Sequence, residues 1–299
     1  LREGHSSLNL TELGNEIEIL KENDLDGGPE ETRPLVLTSS GDLYFKRYFD
    51  YEISIAKKLR EWSTISDQEP IMDYSHLDNL FSNDADQLKA AKLSIKNKFS
   101  VITGGPGTGK TCLVVSILHA LLQNNPEIKI LLAAPTGKAA QRMTESILLN
   151  LERFDLSEDE KQRFPQEAST IHRLLQPLPP SIHFRKNQRN PLNADFLIID
   201  EASMIDLPLM AKLFRSIPNE CGLILVGDVD QLAPVEAGAP FASIVRHFLQ
   251  PDYPQLVAKL STNRRFSGTS SIHRLCKAIS SGDTAETELL IGEERHEDF

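Results

Sequence analysis

Three short stretches carry residue types suited to phosphate chemistry. The first is VITGGPGTGKT, Val101 to Thr111. Gly104, Gly109, Lys110 and Thr111 fit G-x-x-x-x-G-K-[ST], with Gly105, Pro106, Gly107 and Thr108 between them. Glycines permit positive φ and turn successive N–H groups inward, and a following helix adds its own free N–H groups. That makes an anion cradle. Lys110 is placed to reach β- and γ-phosphates, and the Thr111 hydroxyl to ligate Mg²⁺. A ligand-free glycine turn is the bland alternative, and the strand–loop–helix setting weighs against it. The expected ligand is a nucleoside triphosphate such as ATP.

The second stretch, FLIIDEAS, is an apolar run ending in Asp200 and Glu201. Asp200 would hold Mg²⁺, and Glu201 would orient and deprotonate an attacking water. A solvated strand end is the alternative. The third, LVGDVDQLAPVEAG, ends an apolar run in Gly227, Asp228 and Gln231. A neutral amide at Gln231 can hydrogen-bond a γ-phosphate and register its loss; a turn with an Asp cap would look the same.

These stretches need a frame. From Phe99 onward, apolar runs (FSVIT, IKILLAA, DFLIID, CGLILVGD) alternate with amphipathic segments (GKTCLVVSILHALLQ, GKAAQRMTESILLNL, LPLMAKLFRSI, GAPFASIVRHFL). Near-continuous apolar strands between helices imply an α/β fold, a parallel sheet covered on both faces. Upstream, a helix is expected over 8–20, then a linker. Two short strands follow about the turn SSGD, then helices over 50–62 and 84–98, with a domain boundary near residue 80.

The 299 residues are 40% hydrophobic and 25% charged, ordinary for a globular protein. No uncharged apolar stretch is long enough for a membrane span, and the N-terminal residues lack a signal peptide's apolar region. Cys112, Cys221 and Cys276 show no metal-ligand spacing and suit a reducing, cytoplasmic compartment. The net charge of −11 argues against a whole-surface grip on nucleic acid, though not against a local basic groove. Residues 171–192 hold three Arg, one Lys, two His and no carboxylate.

GGPGTGKT, APTGKAAQRM, STIHRLL, IIDEASMID, GDVDQLAPVEAG and STNRRFSGTSSIHRLCKAI resemble, in order and spacing, the early motifs of superfamily 1 helicases. They look most like the RecD family, the alpha subunits of RecBCD exonuclease V, over roughly residues 80–282. LYFKRYFDYE also resembles that family's small N-terminal domain, which docks on RecC. The resemblance implies a RecA-like P-loop domain at 81–285, a docking domain at 1–80 and an acidic tail at 286–299. It implies ATP-dependent 5′-to-3′ DNA unwinding in double-strand break repair. The partners implied are RecB, RecC, single-stranded DNA and broken duplex ends, with no membrane.

Gln87 in DADQLKAA looks like the glutamine that reads the adenine edge; as a bare helix residue it would be exposed. Pro135, Thr136, Gly137, Lys138 and Arg142 resemble the motif that touches single-stranded DNA, and Thr170 and His172 another, although His172 also fits a capped helix. One of Arg264 and Arg265, with Arg265 preferred, resembles a γ-phosphate contact, as suits a planar bidentate donor. QPLPPSIHFRKNQRNPLNA occupies the place of an inserted β-hairpin at about 176–194. There His183, Phe184, Arg185, Lys186 and Arg189 either line a strand or merely balance the acidic body. The family's second motor domain, with VHKSQGSE and a trans arginine, has no counterpart here. The expectation is therefore a truncated motor: weak nucleotide binding and slow hydrolysis, since arginine-finger loss costs ~10³–10⁵ in rate in related NTPases. Two readings stay open, a helicase subunit and an ATP-binding module that docks on partners without motor work. A P-loop small-molecule kinase is disfavoured by PTGKAAQRM and Gln231.

Overall fold

The computed structural model describes residues 6–9, 26–27, 33–63, 73–82, 84–152, 156–251, 253, 256–262, 274–275, 278–279 and 282–292. It begins with a small sheet. β1 (Ser7–Asn9) and β3 (Leu35–Leu37) both pair antiparallel with β4 (Asp42–Phe45), and β2 (Asp26–Gly27) pairs parallel with β3. The helix expected over 8–20 is thus strand at Leu8 and Asn9, and the rest of it lies outside the described residues. Ser7 sits opposite Tyr44, so a distant partner overrides the local pattern. α1 (Lys46–Ser63) follows directly, longer than expected, and then come the short α2 (Ser75–Leu80), which the sequence did not announce, and α3 (Ala85–Lys96).

The main body is a parallel sheet. Its strands are β5 (Phe99–Gly104), β6 (Ile130–Ala134), β7 (Ser169–Thr170), β8 (Phe196–Ile199), β9 (Gly222–Gly227) and β10 (Val257–Leu260). They run in the order β10-β5-β9-β8-β6-β7, every pair parallel. Between them lie α4 (Lys110–Asn124), α5 (Gly137–Leu151), α6 (Glu158–Arg163), α7 (Ile171–Leu175), α8 (Leu207–Ser216) and α9 (Pro240–Phe248), with α10 (Thr284–Gly292) at the end. This is the α/β architecture expected.

Successive strand residues face opposite sides of the sheet, and both sides are apolar. Val101, Leu197, Ile199 and Leu223 join one core with α1, α8 and α9. Ile102, Ile198, Ile224 and Val226 join the other with α2, α3, α4 and α5. Helix α1 thereby enters the core beneath the sheet. Trp62 is 5% exposed, stacks on Phe99 with centroids 5.7 Å apart and meets Phe214 edge-on at 5.4 Å.

The insertion after α7 carries no continuous ladder. It has isolated antiparallel bridges at Pro177–Phe184 and Asn187–Asn190, with backbone N–H groups of Leu178 and Arg185 donating to His183 O and Gln176 O. Lys212 ties it to α8, donating to Ile182 O at 3.1 Å with its ammonium 5.3 Å from the Phe184 ring centroid. A Pro-rich segment lacks the N–H donors for a regular hairpin.

Candidate nucleotide and nucleic-acid site

The glycine-rich loop joins the C-terminal end of β5 to α4. Its glycines answer two different demands. Gly107 and Gly109 have φ of +79° and +84°, and Gly109 occupies the N-cap of α4 with no side-chain cap. The first-turn N–H groups of α4 therefore face the loop concavity. Gly104 answers the other demand, close approach: a Cβ there would sit 2.8 Å from Leu260 O and 2.9 Å from Thr108 Oγ1. A Cβ on Gly105 would meet nothing within 4 Å, so the loop encloses space rather than side chains.

Polar contacts fix the loop. Lys110 Nζ donates to Gly104 O at 2.6 Å and Gly105 O at 2.9 Å, and Thr108 Oγ1 donates to Gly105 O at 2.9 Å. From α3, Gln87 reaches the back of the loop. Its side chain is 1% exposed and its Nε2 donates to Thr108 O at 3.1 Å. Its Oε1 is buried without a hydrogen-bond partner among the described residues. The bland alternative, an exposed helix residue, is not what is seen: Gln87 is buried, because α3 lays this face against the loop. Pro106 is exposed; Thr111, like Lys110, is half-buried.

Asp200 and Glu201 follow β8, which β9 alone separates from β5. Glu201 has φ +53° and ψ +37°, left-handed for a side-chain-bearing residue, and its N–H donates to Asp200 Oδ1 at 2.8 Å. Such backbone stores about 1–3 kcal/mol that the surroundings must hold. Burial pushes the Asp200 carboxyl above its ordinary range. The Glu201 charge adds to this, while the Glu201 N–H and the Lys110 ammonium pull it back. Lys110 and Asp200 therefore feel each other's charge.

Asp200 yields a stability prediction. A carboxyl whose folded pKa is raised holds its proton more tightly folded than unfolded. Its contribution to stability is full below the ordinary aspartate range and is lost as pH rises through the raised value. Above the ordinary aspartate range the fold carries the cost of this buried carboxyl. Asp200→Asn is expected to stabilise the chain at pH 7, raising its melting temperature. The gain should shrink as the pH approaches the ordinary aspartate range. Thermal melts across that range check it, and an Asn variant less stable at pH 7 would refute the burial argument.

The third stretch lies between the first two. A Cβ on Gly227 would strike the Phe241 ring at 2.8 Å and Ser203 N at 3.0 Å. Asp228 is buried and accepts from Asp230 N at 3.0 Å. Gln231 is exposed, and its Oε1 accepts from Ser203 Oγ at 3.4 Å. Val229 N–H donates to Thr103 Oγ1 at 3.2 Å, which ties this turn to the loop strand. Ser203, Thr103 and Leu260 were not singled out by sequence, because their parts depend on neighbours brought in from elsewhere in the chain.

The remaining expected residues continue along the same edge, at the ends of β6 and β7. Thr136 caps α5, accepting from Ala139 N at 3.2 Å, beside the half-buried Pro135. Gly137, Lys138 and Arg142 are exposed. Thr170 caps α7 through Arg173 N at 3.1 Å, and the exposed His172 ring lies 5.7 Å from Phe184. Arg185 is exposed; Lys186 is half-buried, donating to Pro191 O at 3.1 Å. Arg264, Arg265 and Cys276 lie outside the described residues. Among those residues no group of three His, Cys, Asp or Glu side chains is placed to hold a metal, and no helix is long and apolar enough to cross a membrane.

The loop, the acidic pair and the Gly227–Gln231 turn share the C-terminal edge of the sheet, where ligands of open parallel sheets are held. The AAA domain family model matches residues 87–237. A RecBCD enzyme subunit RecD of Mycolicibacterium smegmatis is 38% identical over 266 residues, 87% of this chain and 46% of that protein. A RecBCD enzyme subunit RecD of Haemophilus influenzae is 46% identical over 170 residues, 55% of this chain and 27% of that protein. The chain thus spans less than half of each relative. Among solved structures, a Pif1 helicase chain covers 69% of this chain and 50% of its own, at 19% identity and a TM-score of 0.43.

Proposed function

Because this chain belongs to the AAA-domain family and is a RecD-like superfamily 1 helicase sequence, we propose that it is the ATP-binding first motor part of a DNA helicase subunit. The whole protein would work 5′-to-3′ beside RecB and RecC on broken duplex ends and single strands, in the cytoplasm. Residues 81–285 would form the motor domain and 1–80 the docking domain, anchored by helix α1, which packs into the motor core through Trp62. The observation that carries this reading is the glycine loop, with positive φ at Gly107 and Gly109, sharing one end of the sheet with the Asp200–Glu201 pair that follows β8, one strand away.

The residues fit ATP and Mg²⁺. Positive φ at Gly107 and Gly109, open space at Gly105 and the α4 N-terminus make the cradle for the triphosphate. Lys110 is held at its rim for the β- and γ-phosphates. Thr111 and Asp200 would hold the metal, which supplies Lewis-acid stabilisation of phosphoryl charge when bound. Glu201 would take a proton from the attacking water, and Gln231, oriented by Ser203, would report the γ-phosphate. Gln87 would read the adenine edge from behind the loop; Arg265 would meet the γ-phosphate. Pro135, Thr136, Gly137, Lys138, Arg142, Thr170 and His172 would contact the DNA strand, with Arg185 and Lys186 beyond them. Exposed cations beside capped helix starts suit phosphate contact.

Titration calorimetry with ATP·Mg²⁺ tests the reading. Lys110→Ala should weaken binding about 10- to 100-fold, the loss of charge-assisted hydrogen bonds. Unchanged affinity would remove the loop from the site. Strand-stimulated ATPase separates the motor from the alternative, a docking module that binds ATP without turnover.

A further inference from the structure

A second basic surface lies away from the nucleotide loop. Helix α1, the C-terminal end of α8 and the insertion enclose a cavity of about 530 Å³. Its rim carries Lys57, Lys58 and Arg215, with Glu61 as the one carboxylate in its lining, and amides from Gln188 and Asn219. Lys212, one helical turn from Arg215 on α8, binds the insertion, which carries Arg189 next to the pocket-lining Gln188. Among the described residues, none of these five cations stands in an ion pair with a carboxylate; the pairs that do form lie elsewhere. In a chain of net charge −11, a surface where five cations meet one carboxylate is not a by-product of composition.

Lys58 shows how the pocket is built. Its ammonium is satisfied by neutral acceptors, Ile217 O at 3.1 Å and Asn219 Oδ1, and stands 5.0 Å from the Trp62 ring centroid. Burial lowers its pKa, with Glu61 opposing. Arg215 is likewise spent on neutral groups, donating to Asp50 O at 3.4 Å over the Tyr51 ring. Fixed cations with unspent charge invite an anion. The chemistry favours a sugar–phosphate backbone over an acidic protein. Lasting protein interfaces bury an apolar centre, whereas Phe214 and Ile217 in this lining are already buried in the core. A row of cations at helical-turn and loop spacing instead suits successive phosphates, which need charge without base contact.

We propose that this α1–α8–insertion pocket is a second nucleic-acid contact, holding backbone phosphates of a single strand independently of Lys138 and Arg142. The probe is a fluorescently labelled oligothymidylate, followed by anisotropy across a salt series. Lys57→Gln/Arg189→Gln removes two exposed cations of the row without touching Lys58. Lys89→Gln/Arg163→Gln removes two exposed cations from α3 and α6 on the other face and matches its net charge. Each single-strand phosphate contact contributes about 0.7 to the salt slope, so the pocket variant should lose about 1.4 and the control nothing. The loss should persist in a Lys138→Ala/Arg142→Ala background. Equal slopes in the two variants, or disappearance of the difference in that background, would overturn the proposal. So would an equal loss of oligoglutamate binding, which would assign the surface to an acidic protein.

Discussion

Glu201→Gln is expected to leave ATP·Mg²⁺ affinity within about twofold of wild type and to lower phosphate release by about 10²–10⁴, the contribution of a positioned general base. The amide keeps the volume and hydrogen-bonding reach of the carboxylate, and the Glu201 N–H to Asp200 Oδ1 bond is untouched. The left-handed backbone at residue 201 is also unchanged, so the fold should not register the substitution. The measurement belongs in a chain extended to the length of its RecD relatives, with single-stranded DNA present. Turnover that survives there would show that another group positions the water.

Trp62→Ala is expected to destabilise the chain by about 3–5 kcal/mol, the loss for a buried tryptophan in a packed core. Net stability of a domain is about 5–15 kcal/mol, so this one side chain holds a large part of it. The indole bridges Phe99 and Phe214 at 5.7 and 5.4 Å. Its Nε1 is buried without a hydrogen-bond partner among the described residues. Trp62→Phe removes that orphan donor while keeping a ring in the stack, and should stay within about 1.5 kcal/mol of wild type. Denaturant unfolding of both variants reads the difference. Equal midpoints for Ala and wild type would mean that α1 does not belong to the core.

The phosphate loop was legible because few other roles require Gly104, Gly107, Gly109 and Lys110 in that order between an apolar run and a helix. The parallel sheet was legible for the same reason: apolar strands such as LILV tolerate no wet face. Three things were not. Helical periodicity gives the rotation of α3 only relative to itself, so the pattern alone left Gln87 free to be exposed, and its contact with Thr108 O was not legible. β7 spans two residues, too few for any pattern, and exists because Ala133 and Ala134 offer an edge. Ser7–Asn9 has no strand signal; Tyr44, Leu43 and Asp42 supply one. Each of these depends on distant partners, information that no window of sequence contains. The basic insertion was visible as composition, but the pocket it shares with α1 and α8 needed three separate segments to meet.

The strand order has an implication for biosynthesis. β5, the first strand of the large sheet to leave the ribosome, is flanked by β9 and β10, the last two. Leu260 O comes close enough to Gly104 to exclude a Cβ, so the triphosphate cradle cannot take its final shape until synthesis has passed Leu260. From Gly104 until Gly222 is translated, the nascent chain holds β5 without either neighbour, and until Val257 with only one, a condition in which unpaired edges recruit strangers. Premature termination before Val257 should therefore yield aggregate rather than a smaller nucleotide binder.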